Sequence, residues 1–245
     1  MTHLVRSELL LLARNRMAVF NSVLVPVMII GLLAAGGDAG GDTAPVTGAL
    51  GFVLVGVLYY TLVSTYVARR EDLVLQRLRV GVLTDLEILA GTAGPAVAVA
   101  LGQMVLFVAV GAVAFGLPAP VNAPVLLLGV LLGTVVFALL AAVSTTFTRT
   151  VELAQVTTLP VLLVCFAGAG FAIPLDALPG PVAEALRWLP LSPTLELVRL
   201  GWLGRPGAGV LGVLGAAAAP AGLLAAWTLL GWVAVRRWFR WSPRR

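Results

Sequence analysis

Charge in this sequence is concentrated where it could do chemistry. The stretch RREDLVLQRLRVGVLTDLEILAG, residues 69–91, carries Arg69, Arg70, Glu71, Asp72, Arg77, Arg79, Asp85 and Glu87 in a 245-residue chain that is 60% hydrophobic and only 11% charged. Acids and bases interleave with Leu73, Leu75 and Leu78. A patch that bound only anionic lipid would be basic throughout, whereas mixed charge among apolar side chains suits a protein partner. A solvated connector with no partner is the plainer alternative. Thr84 and Glu87 have the S/T-x-x-E spacing in which each side chain reaches the other's backbone N–H, so a helix is expected to start there.

Two further groups could contact a ligand. Phe52, Tyr59 and Tyr66 recur every seven residues, which on a regular helix makes one aromatic stripe, with Thr61, Ser64 and Thr65 nearby. The stripe fits either stacking on an amphipathic substrate or ordinary packing, with Tyr66 in an interfacial belt. Gln155 and Thr158 share a helical face with Leu162 and Phe166. They could line a path, or the threonine could bond back to its own helix.

The residue inventory excludes several chemistries. The chain has no lysine, one histidine (His3) and one cysteine (Cys165). A G-x-x-x-x-G-K-[ST] phosphate loop needs its lysine, and a serine dyad needs a histidine base beside the nucleophile. A zinc site needs ligands that are missing here, and one cysteine forms no intrachain disulfide. No Asp or Glu lies deep in an apolar run, which removes a carboxylate-only enzyme and leaves a proton-coupled transporter without its mid-membrane groups. No catalytic residue, no metal site and no cofactor are therefore expected in this chain.

The elements that would position these residues follow from the hydropathy. Mean hydropathy is +1.04, and charge-free runs cover residues 17–37, 43–68, 88–148, 153–175 and 206–235. A hydrocarbon core of about 30 Å takes about 20 apolar residues as a helix, and only helices or closed barrels satisfy their backbone in lipid. The runs are continuous rather than alternating, which disfavours barrel strands. The longest run must turn at LPAPVNAP, residues 117–124, where three prolines stop a helix. The expected fold is an all-α polytopic membrane protein with six spans, near residues 17–35, 46–68, 91–116, 123–147, 152–171 and 209–235. Residues 1–16 are expected to form an amphipathic interfacial helix, residues 69–90 a cytoplasmic loop of two short helical pieces around a Gly81 hinge, and residues 172–205 an outer helical hairpin. In that hairpin Glu184/Arg187 and Glu196/Arg199 are i,i+3 pairs. A cleaved signal peptide is not expected, because the first apolar run is too long and its arginines come too late.

Six spans put thirteen arginines on one side: Arg6, Arg14, Arg16, Arg69, Arg70, Arg77, Arg79, Arg149, Arg236, Arg237, Arg240, Arg244 and Arg245. The other side receives Arg187, Arg199 and Arg205. Under the positive-inside rule both termini are expected in the cytoplasm of a bacterial inner-membrane protein.

Three motifs in order on this frame carry a resemblance. They are the surface helix leading into RNRMAVFNSVLVP with Pro26, the loop with Arg70-Glu71, Arg77-Leu78-Arg79 and Thr84 to Glu87, and the stretch FAIPLDALPGPVAEALRWLPLSPTLELVR at residues 171–199. The chain resembles the type-2 ABC exporter permeases, the group that includes daunorubicin-resistance permeases, over nearly its whole length. It departs at Leu191-Ser192-Pro193, where relatives often have Leu-Thr-His. The resemblance implies a permease that pairs with a second permease, identical or not, and docks on a separate ABC ATPase that binds ATP and Mg. It assigns coupling to that ATPase to Arg6, Glu8, Arg70, Glu71, Arg77, Arg79, Thr84 and Glu87. It gives a substrate path through the second and fifth spans, hence to Phe52, Tyr59, Tyr66, Gln155 and Thr158. The expected cargo is a lipophilic or amphipathic drug, antibiotic or lipid, with lipid bilayer as surroundings and no nucleic acid as partner. A glycan or lipid-linked polymer exporter, or a non-transporting scaffold or immunity protein, would share the frame.

Overall fold

The computed structural model describes residues 44–74, 84–169, 178–205, 207, 209–239 and 241, and all regular structure among them is helical. The expected interfacial helix, the first span and the coupling residues Arg6, Glu8, Arg77 and Arg79 lie outside the described residues. Among the described residues, five helices are long and apolar enough to cross a membrane: Val46–Glu71, Asp85–Val113, Ala123–Ser144, Val151–Gly168 and Leu211–Trp238. They fall on the second to sixth expected spans.

The second span is composite. Helix α1 (Ala44–Phe52) passes through a π-helical segment, Val53–Tyr59, into α2 (Tyr60–Glu71) without a break in the chain. It is the central element: 67% of its best apolar window is buried, against 28% for the third span and 22% for the fifth and sixth. Leu54, Leu58, Leu62 and Val63 are fully enclosed. The outer helices keep lipid-facing surfaces, among them Val105, Leu159, Leu163 and Leu230.

Local signals set the ends. Helix α3 (Asp85–Phe115) starts with the anticipated capping box, Thr84 N–H donating to Glu87 Oε2 at 2.8 Å and Glu87 N–H to Thr84 Oγ1 at 3.3 Å. It ends at Gly116, whose φ of +62° is the left-handed turn that glycine adopts without strain. The separate second piece expected inside the loop is absent: Thr84 caps the third span itself. That single helix has 31 residues, about 46 Å at 1.5 Å per residue, so its first turns extend past a hydrocarbon core of about 30 Å. Both α2 and α3 thus reach into the expected loop 69–90. Helix α4 (Ala123–Ser144) begins after the proline turn, with Asn122 Oδ1 accepting from Val125 N–H at 3.3 Å. Helix α5 (Val151–Gly168) follows a short turn.

Between the fifth and sixth spans the described residues form two short helices, α6 (Gly180–Arg187) and α7 (Leu191–Leu203), before α8 (Val210–Trp238). Helix α7 does not rest on a surface. A Cβ on Gly133, midway along α4, would come within 2.6 Å of Thr194 Cγ2, and one on Gly201 within 2.7 Å of Leu126 Cα. Those glycines let the two backbones touch. The register places the start of α7 half-way down α4 and its end at the 116–122 turn, where Trp202 Nε1–H donates to Pro118 O at 2.7 Å. The hairpin therefore dips into the bundle. Its tip is satisfied by hydroxyl and indole donors, as a non-helical turn at that depth must be. Ser192 Oγ–H lies 2.6 Å from Gly168 O and 3.0 Å from Leu186 O, and Trp227 Nε1–H donates to Trp188 O at 2.9 Å.

Candidate functional site

Antiparallel succession of the spans gathers Arg69, Arg70, Thr84, Glu87, Arg149, Arg236 and Arg237 at one end of the bundle. Arg187, Arg199 and Arg205 belong to the opposite end. At the basic end the first-loop candidates separate into two kinds. Glu71, Thr84 and Glu87 are exposed, so their side chains face outward. Arg70, in the last turn of α2, is 1% exposed.

The buried guanidinium is spent inside the chain. Arg70 Nη1–H donates to Thr145 O at 2.8 Å, and Nη2–H to Thr148 O at 2.6 Å and Arg149 O at 3.2 Å. Thr145 is the C-cap of α4. Carbonyls at a helix C-terminus have no intrahelical donor, and the partial negative charge there favours a cation. The planar fork of arginine can serve several such oxygens at once. A second layer stiffens the turn: Thr148 and Thr157 hydroxyls are 2.8 Å apart, and Thr146 Oγ1–H donates to Trp238 O at 3.3 Å. The start of the first loop is thus bonded to the turn between the fourth and fifth spans. The side chain of Arg70, expected to couple to a partner ATPase, faces inward and satisfies those carbonyls. Sequence reading missed the receiving turn. Its composition, STTFTRT at residues 144–150, was the available signal for a polar junction at a helix end.

The three aromatic side chains of the second span pack within the chain. A π-helix turns more slowly per residue than an α-helix, so the Val53–Tyr59 segment breaks the seven-residue register between Phe52 and Tyr59, while Tyr59 and Tyr66 keep it along α2. Phe52 stacks on Phe166 of α5, with centroids 5.9 Å apart and rings 12° from parallel. Tyr59 is fully buried, with its hydroxyl 2.8 Å from Ser144 Oγ and its ring edge-on to Phe137 of α4. Tyr66 donates to Leu89 O of α3 at 3.2 Å and packs edge-on to Phe239. Three rings meet three different neighbours. On α5, Thr158 is buried and donates back to Ala154 O at 2.7 Å, while Gln155 is exposed. Of the path candidates, Phe52 and Gln155 alone keep solvent- or lipid-accessible surface beyond a few per cent. Glu196 and Arg199 are both exposed on the face of α7 turned away from α4.

No group of three or more His, Cys, Asp or Glu side chains among the described residues could hold a metal ion. Residues 1–202 match the family model described as ABC-2 type transporter. No curated protein matches the chain.

Proposed function

The chain belongs to the ABC-2 type transporter family, and from that premise we propose that it is the permease of an exporter driven by a separate ATPase. Its cargo is a lipophilic or amphipathic compound, such as a drug, an antibiotic or a lipid, taken from the cytoplasm or the inner leaflet. The permease itself hydrolyses nothing; ATP and Mg are bound by the ATPase. It works as a pair of permeases in the bacterial inner membrane, with both termini and the basic end on the cytoplasmic side. Thirteen arginines against three support that orientation.

The observation that carries the reading is the Arg70 junction. An ATPase seated against the exposed charges of the first loop, Glu71 and Glu87 among them, would push on the end of α2. Arg70 passes that displacement to the 145–149 turn through three hydrogen bonds, and the turn leads directly into α5. Phe52 on Phe166 joins the same two spans nearer the opposite end. A path opening between the second and fifth spans would part those rings, and Gln155 is the polar group beside it.

The test is co-purification with the ATPase and transport of a lipophilic dye into inverted vesicles. Replacing Glu71 and Arg77 by alanine is expected to release the ATPase while the permease stays folded. An ATPase that remains bound to that variant, or nucleotide hydrolysis by the permease alone, overturns the reading.

A further inference from the structure

Threonine in the third to sixth spans follows one habit. Thr92, Thr134, Thr157, Thr158 and Thr228 each donate to the carbonyl four residues back, at 2.7–3.0 Å, which satisfies a hydroxyl within its own helix. Helix α2 does the opposite. Tyr60, Thr61, Ser64 and Thr65 recur at three- and four-residue spacing, so they share one face. That face is the open one: Thr61 is exposed and the other three are half-buried, whereas Leu62, Val63, Tyr66 and Val67 are buried. None of the four hydroxyls makes a hydrogen bond among the described residues, and Ser64 Oγ is closed off from solvent without a partner. Thr61 stands ten residues before Glu71, about 15 Å along the helix and hence near the middle of a hydrocarbon core of about 30 Å. Surfaces turned to lipid look different: they carry Val105, Leu159, Leu163 and Leu230. A row of unpaired hydroxyls at that depth forfeits hydrogen bonds in hydrocarbon.

The make-up of the row selects what meets it. A permanently seated helix favours small residues that let backbones touch, as Gly133 and Gly201 do between α4 and α7. Residues 60–65 instead turn outward a phenol and two β-branched side chains. Each hydroxyl rotates and can both donate and accept, so the row can pair with hydroxyl, ether or carbonyl oxygens in many poses. It holds no carboxylate to balance an amine and no guanidinium to balance an anion. Arg69, Glu71 and Asp72 come only at its basic-end margin, where the apolar run stops. Gln155, exposed one turn into α5, is equally neutral. We propose that this face of α2 is the surface on which cargo is read, and that the cargo is an uncharged amphiphile whose polar part carries several hydroxyl or carbonyl oxygens, such as a glycoside. Thr61, Ser64 and Thr65 are its specificity-determining residues. The inference rests on the permease reading and narrows the cargo within it.

The experiment places the full-length chain in detergent-free bilayer nanodiscs with one of two photoreactive probes. One is an alkyl β-glucoside; the other has the same diazirine-bearing chain and a trimethylammonium head. Cross-linked peptides are then mapped. The glucoside is expected to label residues 60–69 roughly fivefold more than the ammonium probe does. In the Thr61→Val/Ser64→Ala/Thr65→Val variant that labelling should fall by a similar factor. The variant keeps the side-chain volumes nearly unchanged and removes hydroxyls that bond to nothing in the described chain, so it should fold, as matching circular dichroism and size-exclusion profiles would show. Thr228→Val, which deletes a hydroxyl bonded within its own helix, should label like the parent. Equal labelling by the two probes overturns the proposal, as does equal labelling of the triple variant. Labelling no denser than along residues 223–233 overturns it too. So does rapid, complete disulfide formation between Asn21→Cys and Thr65→Cys, which would give the face to the chain's own residues 17–35. Labelling needs neither ATPase nor nucleotide. Its failure with the ATPase still docked therefore rejects the cargo class alone, whereas an ATPase that does not depend on the first loop rejects the permease reading.

Discussion

Arg70 is the residue at which burial and charge conflict most sharply. An arginine with 1% exposure is accommodated here with three carbonyls at the end of α4 and in the following turn accepting from it. Arg70→Met keeps the stem and deletes the fork, leaving those oxygens without that donor. It is expected to destabilise the protein by about 2–4 kcal/mol, read as thermal unfolding in detergent. Arg70→Lys keeps the charge but serves fewer acceptors, so an intermediate loss is expected. Under the proposed mechanism the lysine variant also transports less per ATP hydrolysed, a ratio that stability alone does not change. The composition of residues 69–91 showed a concentration of charge, yet it could not separate the inward Arg70 from the outward Glu71. One residue of helical phase, about 100°, decides that, and phase is set by which neighbour offers acceptors.

At the scale of elements, the decisive contact is helix α7 against α4. Gly201→Ala would put a methyl within 2.7 Å of Leu126 Cα, against backbone that cannot swing aside. A loss of about 1–3 kcal/mol is expected, with α7 displaced outward, measurable as lower thermal stability and faster proteolysis at residues 204–209. Ser192→Ala removes the hydroxyl shared by Gly168 O and Leu186 O and should loosen the tip by about 1–2 kcal/mol. Hydrogen exchange at residues 186–192 reports it, and unchanged protection would mean the tip is held by packing alone. The hairpin itself could be anticipated from Pro179, Pro190 and the paired charges. Its depth could not, because the burial of Thr194 comes from glycines more than sixty residues away. The register from Phe52 to Tyr59 failed for a related reason. A seven-residue spacing implies one face only while the helix stays α, and the π segment was not visible in a run of valines and leucines.

For the whole molecule, the distribution of arginine predicts which end faces inward. A membrane-impermeant maleimide added to intact cells is expected to label Glu184→Cys, and to label Arg149→Cys only after permeabilisation. The native Cys165 is buried and contributes little background. The reverse pattern would overturn the orientation. By itself the sequence determined that the chain is a helical membrane protein, where the second to sixth spans lie to within a few residues apart from the start of the third, and that Thr84 begins a helix. These depend on hydropathy, proline and capping, which act over one helix turn or one bilayer thickness. Tertiary structure alone decided that the second span is the hub, that Arg70 closes the α4–α5 turn, that Tyr59 and Tyr66 are packed within the chain, and that α7 lies within the bundle. Each of these is a choice among faces of a helix, and a face acquires its role only from the partner packed against it.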